Sequence, residues 1–379
     1  MSVFRPLRRF ARPFAAGFCL AACLAVAAPD AAAQGSMEIA LESPSSSSPA
    51  LAPSVRISGS WPDSCVPRIQ STRLAGSEID LVARTATLGC RSGATDYEQR
   101  ANPALQAGLL HLPARVYAVR AYLARGTQTP VLSRFTLLDA TENDPAPAVE
   151  NGFWWTVALG EEAAPALAGS GISVERQGDQ LAVGLFGFDD AGNATWFFGS
   201  ARLEGRLARV ALVRLRDGEE PFGEISARPV AESGPELLIA FEGPAQARAW
   251  LVRPSPTGAG DAIDVRPLVL QRSAFGGGAP GQSWLGRWVS VGEADRSSVR
   301  LFDFGRLSSE DGESFRVEDA SSSLSLSCRL GLHSAEQPPA TCTLYDRSTV
   351  IAVFDRIGID RLEGRTAGGE RLRLVRIAD

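Results

Sequence analysis

Short runs that alternate apolar and polar residues recur about every 8–12 residues along the chain, each bounded by Gly, Asp, Pro or Ser. Val116 to Tyr122, Leu181 to Phe186 and Arg371 to Ile377 are examples. A side-chain period of two turns one face to a core and the other to water, so such runs build half-buried antiparallel strands. The helical period of i, i+3, i+4, i+7 is not sustained; the nearest approach is Tyr97 to Leu110. An all-β protein is expected. With 45% hydrophobic and 21% charged residues, the composition is that of globular protein, which excludes wholesale disorder, collagen and a multi-span helical membrane protein.

The first 33 residues read as a secretion signal. Arg5, Arg8, Arg9 and Arg12 form a positive start, Phe14 to Ala28 an apolar stretch, and Ala31-Ala32-Ala33 a small-residue cleavage site before Gln34. The apolar stretch is about 15 residues, too short for a comfortable membrane span. Leu20-Ala21-Ala22-Cys23 resembles a bacterial lipobox, which makes lipidation of Cys23 the alternative to cleavage after Ala33; the residues after Cys23 stay apolar, which favours cleavage. No membrane span is expected once the signal is removed. The compartment is exported, either periplasmic or secreted, with an outer-membrane lipoprotein as the alternative.

Gly/Pro/Ser-rich segments divide the remainder. Residues 34–50 read as a flexible linker around Pro44 to Pro49, residues 141–150 as a second linker, and residues 273–282 as a Gly-rich third. They separate blocks 51–140, 151–272 and 283–379. The first has the size and strand density of an Ig-like sandwich. The other two read as antiparallel meanders long enough to curl into barrels, which removes exposed edges.

All 38 basic residues are arginine, the mark of a GC-rich genome. Against 43 acidic residues they leave a net charge of −5. Removing residues 1–33 takes away four arginines and Asp30, leaving 34 basic and 42 acidic residues and a net charge of −8. Nucleic acid is therefore not an expected partner, because phosphate neutralisation needs a basic excess. The remaining cysteines are Cys65, Cys90, Cys328 and Cys342. In an exported chain they read as two disulfides, with three connectivities open; the local one keeps each bridge inside one block. A metal site lacks CxxC spacing and a histidine cluster, so no metal or cofactor is expected.

In the middle block, Gly152-Phe153-Trp154-Trp155 opens a first strand and Gly171 to Glu175 a second. Gln177-Gly178-Asp179 and Asp189 to Asn193 supply hairpin turns on either side of Leu181 to Phe188, and Ala194 to Phe198 returns. The series Gly152-x-Trp154-Trp155, Ser170-Gly171, Gln177-Gly178-Asp179, Phe186-x-Phe188-Asp189-x-x-Gly192-x-x-Thr195-Trp196 resembles a family of exported proteobacterial β-repeat proteins with the pattern GxWW, SGxG, QGD, FxYDxxGxxTW. Pro221-Phe222-Gly223 and Gln271 to Phe275 also fit, and Gly59-Ser60-Trp61-Pro62-x-x-Cys65-x-Pro67 is similar to the Ig-like segment that accompanies such repeats. The resemblance implies an exported all-β module and carries no catalytic residues. The chain departs from the pattern in lacking Asn-Pro-x-Glu after the tryptophans and in having Phe188 for tyrosine. Trp284 to Trp288 opens the third block in a related way, and Gly-x-Trp is also similar to the start of calycin barrels such as lipocalins and avidins.

Catalytic chemistry finds little support. Histidine occurs twice, at His111 and His333 in different blocks, and no GxSxG elbow is present. Asp189 and Asp190, with Glu310, Asp311 and Glu313, are the carboxylates a glycosidase would draw on, but turns and solvated loops explain them. Asp189 to Asn193 also packs oxygens as a calcium loop does, without the twelve-residue EF-hand frame. Of the seven tryptophans, Trp154 and Trp155 must point to opposite faces of their strand. Trp154, Trp155 and Trp196 are the candidate ligand-binding residues, with one of the adjacent pair turned inward. The expected function is non-enzymatic: binding or cell-envelope interaction, with envelope glycan, lipid or protein as partner. The alternatives are a carboxylate-dependent hydrolase of polysaccharide or cell wall, and a calycin-like carrier of a small apolar ligand.

Overall fold

The computed structural model describes residues 35–42, 53–109, 112–125, 130–141, 146–157, 169–189, 191–218, 228–255, 262–273, 280–292, 299–330 and 338–378. The signal, Cys23, the Pro44 to Pro49 run, His111, Asp190, His333 and the Gly276 to Ala279 stretch lie outside them. Within them the protein is all-β. No helix among the described residues is long and apolar enough to cross a membrane.

The first unit comprises β1 (Glu38–Glu42), β2 (Ser54–Asp63), β3 (Arg68–Ala75), β4 (Glu78–Thr85), β5 (Ser92–Ala101), β6 (Val116–Arg125) and β7 (Pro130–Asp139). Sheet β1-β2-β5 and sheet β3-β4-β6-β7 share one core, which includes Val55, Ile57 and Trp61 from the first and Ile79, Leu81, Val119 and Leu123 from the second. The β4–β6 pair runs parallel, unlike the antiparallel sheets of immunoglobulin sandwiches. The helical hint near Tyr97 to Leu110 reduces to one turn, α1 (Pro103–Gln106), with Asn102 Oδ1 accepting the Leu105 N–H at 3.1 Å.

The expectation of a flexible linker over 34–50 is corrected by β1, which pairs with β2 from Glu38↔Ser58 to Glu42↔Ser54. Met37 is buried, and Ile39 and Leu41 pack on the same core. Alternation across only five residues was enough to dock this segment, because its apolar side is covered.

The second unit is a closed eight-stranded barrel of β8 (Gly152–Val157), β9 (Gly171–Gln177), β10 (Gln180–Phe188), β11 (Ala194–Glu204), β12 (Leu207–Arg216), β13 (Val230–Phe241), β14 (Gln246–Pro254) and β15 (Ile263–Arg272). The third is another, of β16 (Gly286–Gly292), β17 (Arg300–Glu310), β18 (Ser314–Asp319), β19 (Leu324–Arg329), β20 (Thr341–Asp346), β21 (Thr349–Ile357), β22 (Arg361–Thr366) and β23 (Arg371–Ala378). Each is an up-and-down meander whose last strand pairs with its first. Closure leaves no edge to aggregate, and eight strands give a lumen that side chains can fill. Trp154, Ile172, Val183, Val210, Ile239 and Phe241 are among those filling the first barrel; Trp288, Phe304, Phe315 and Phe354 help fill the second.

The two barrels repeat one local device. Gly152 (φ 137°) and Gly286 (φ 121°) each precede a buried tryptophan by two residues in a backbone region that favours glycine. Trp154 is paired with Arg272 across the β8–β15 seam, and Trp288 with Arg376 across the β16–β23 seam. In the second barrel the Arg376 guanidinium lies 5.0 Å over the Trp288 ring and donates to the Ser283 carbonyl. A short 3-10 turn (Pro280–Trp284) stacks Trp284 on Trp288 at 5.3 Å, and the Trp288 indole donates to the Trp284 carbonyl at 3.2 Å.

The units are docked. Val116, Ala118, Phe135 and Leu137 of the sandwich pack against Leu238, Ala240 and Trp250 of the first barrel. Between the barrels, the Glu150 carboxylate accepts the N–H groups of Ile359 and Asp360 at 2.9 and 3.1 Å. Gln246 Nε2 donates to the Ile357 carbonyl at 3.0 Å.

Candidate functional site

The outer face of β8 to β11 carries an aromatic surface set by strand register. Trp155 is paired with Gly171, Gly171 with Phe186, and Phe186 with Trp196, so these four residues form one outward row across four strands. The next row is Phe153, Ser173, Gly184 and Phe198. At about 4.8 Å between neighbours, the rows span about 14 Å. Exposures are 43% for Trp155, 44% for Phe186, 46% for Trp196, 41% for Phe198 and 59% for Phe188. Exposed large aromatics clustered in this way are unusual on a folded surface.

The glycines make the floor. A Cβ on Gly171 would sit 2.4 Å from the Phe153 ring, so only glycine lets that ring lie flat across β9. Phe153 meets Trp155 edge-on at 4.9 Å and Phe186 at 5.9 Å, and Trp196 lies 5.8 Å from Phe198. Ser173 and Gln271, the latter paired with Trp155 from β15, place polar groups among the rings. The sandwich docks on β13, β14 and the Ile263 end of β15, away from this face.

Trp154 turns the other way. It has no exposed surface and packs edge-on against Phe241 at 5.7 Å inside the barrel. Of the sequence candidates, Trp155 and Trp196 therefore share the outer face, and Trp154 belongs to the lumen. Trp154 is therefore corrected as a ligand candidate: the inward half of the strand period falls on it. Phe153, Phe186 and Phe198 join the surface; period-two alternation puts Phe153 with Trp155 and Phe198 with Trp196, but register across strands was needed to add Phe186 and gather them.

The carboxylates serve the backbone. Asp189 Oδ1 accepts the N–H groups of Ala191 at 3.0 Å and Asn193 at 2.9 Å, and its second oxygen accepts the Asn193 amide at 3.3 Å. The backbone N–H of Asn193 is the main cause that holds this carboxyl below the usual range. Asp311 is lowered in the same way by the N–H groups of Glu313 and Ser314. Glu310 accepts the Gly281 N–H at 3.0 Å. Hydrogen-bonded turn carboxylates of this kind are acidic and poorly suited to donating a proton.

The disulfides join Cys65 to Cys90 and Cys328 to Cys342. Among the described residues, Asp63, Cys65 and Cys90 bring metal-ligating atom types within 4.8 Å. With both sulfurs in the disulfide, thiolate ligands are not available there. Two disulfides fit an oxidising compartment. Comparisons of the chain with protein-family models, with curated proteins and with solved structures find no match.

Proposed function

We propose that the protein is an exported, non-enzymatic glycan-binding protein of the cell envelope, periplasmic or secreted, and that its ligand lies on the outer face of β8 to β11. The row Trp155, Gly171, Phe186, Trp196 carries this reading. Flat rings offer apolar area to the C–H faces of sugars, while Ser173 and Gln271 offer hydrogen bonds to hydroxyls. The span of about 14 Å suits a chain of sugars rather than one ring. Docking of the barrel on the first unit through β13, β14 and the start of β15 leaves this face available. The similarity to exported β-repeat proteins and the signal at residues 1–33 agree with the location.

The test is a thermal-shift screen of residues 34–379 against envelope saccharides. A ligand at a hundred times its dissociation constant adds about 2.7 kcal/mol, a shift of several degrees for a unit of about 120 residues. A saccharide that raises the first barrel's melting point, with the shift lost in Trp155→Ala, supports the reading. Stabilisation only by self-association, with no saccharide response, overturns it.

A further inference from the structure

A second surface, on the other barrel, has a different chemistry. Four arginines, Arg356, Arg365, Arg371 and Arg373, line a cleft of about 360 Å³ together with Asp355 and Glu363. The register explains their convergence. Arg356, Glu363 and Arg373 form one row across β21, β22 and β23, and Arg365 stands directly opposite Arg371 in the next. Glu363, only 13% exposed, faces Arg373 at 3.3 Å. Gly364 sits between the rows, where a Cβ would come within 2.0 Å of the Val353 carbonyl, so β21 and β22 approach closely along the cleft. Ala146, in the segment leading into the first barrel, closes one side.

Like charges directly opposed on a strand pair are destabilising, yet the arrangement concentrates guanidinium groups in a chain whose net charge is −5. Among the described lining residues, four arginines stand against Asp355 and Glu363, a formal excess of two positive charges, which matches a compact dianion. Guanidinium forks bind phosphate oxygens in bidentate fashion, and the volume falls in the small-ligand range. A long polyanion would leave the cleft and meet the acidic remainder of the surface.

We propose that this cleft binds a phosphate dianion, presented as a phosphomonoester. The full chain with its disulfides intact is titrated at constant ionic strength with inorganic phosphate, and separately with phosphatidylcholine vesicles containing phosphatidic acid. Saturable binding is expected, weakened about tenfold or more by the R365A/R371A double variant. Arg209→Ala, whose side chain pairs with Glu236 at 2.8 Å on the first barrel, leaves it unchanged. Vesicle binding lost in the double variant identifies a lipid headgroup as the source, whereas binding of inorganic phosphate alone identifies a soluble phosphomonoester. Arg365→Gln, at an exposed position, carries the same test if the double variant does not fold. Binding of neither probe, or binding that survives these substitutions, overturns the proposal.

Discussion

Trp154 and Trp155 are neighbours in the chain and stand on opposite sides of one barrel wall, the first without exposed surface and the second 43% exposed. One peptide step thus separates a core residue from a surface one, and the two substitutions should part company. Trp154→Ala is expected to cost the first barrel about 3–5 kcal/mol through lost transfer energy and the cavity it leaves. Trp155→Ala and Trp196→Ala should each cost about 1 kcal/mol or less. Urea unfolding followed by far-UV circular dichroism measures both, and equal costs would contradict the assignment of faces.

Glu150 links the barrels through the N–H groups of Ile359 and Asp360. Burial pushes its carboxyl above the ordinary glutamate range, against the pull of those two N–H groups and of Arg272. A carboxyl raised in the folded state binds its proton more tightly there than in the unfolded chain. Its contribution is therefore greatest below the ordinary glutamate range and is lost as pH rises through the raised value. Glu150→Gln removes that dependence. As pH rises from the ordinary glutamate range upward, the stability of the native chain should fall relative to this variant, as read by urea unfolding across a pH series. A pH-independent difference would contradict it.

The two disulfides differ in access. Cys328 and Cys342 are buried at 1% and 0%, whereas Cys65 and Cys90 are half-buried. Thiol exchange requires the attacking thiolate to reach a sulfur. Mild reduction of the folded chain is expected to open Cys65–Cys90 first, with Cys328–Cys342 reacting only as the second barrel unfolds. Alkylation and peptide mass mapping at timed intervals reports the order. Replacing Cys328 and Cys342 by serine should cost the second barrel about 2–4 kcal/mol.

Strand periodicity made the β class readable, because half-buried strands alternate at every step. The turns at Gly178 and Asp189 were readable for the same local reason: glycine and Asp meet the needs of a hairpin. Trp154 and Trp155 could be assigned to opposite faces, but not to the correct ones, since which side of a closing sheet becomes lumen depends on the whole barrel. β1 was hidden beside the Ser/Pro run, its alternation too short to stand out. The site's remaining aromatics needed cross-strand register, which no single strand encodes. Glu150 meets partners 209 and 210 residues away, and the four arginines of the second barrel face one another only after β21 to β23 align.

On the proposed function, the outer aromatic row of the first barrel holds a glycan. Tryptophan fluorescence titration of the native chain, Trp155→Ala and Trp196→Ala with envelope oligosaccharides tests it most directly. A saturable change is expected in the native chain, and affinity lower by about tenfold in each variant, with melting points close to native. Unchanged affinity in both variants, or no saturable change with any saccharide, would contradict it.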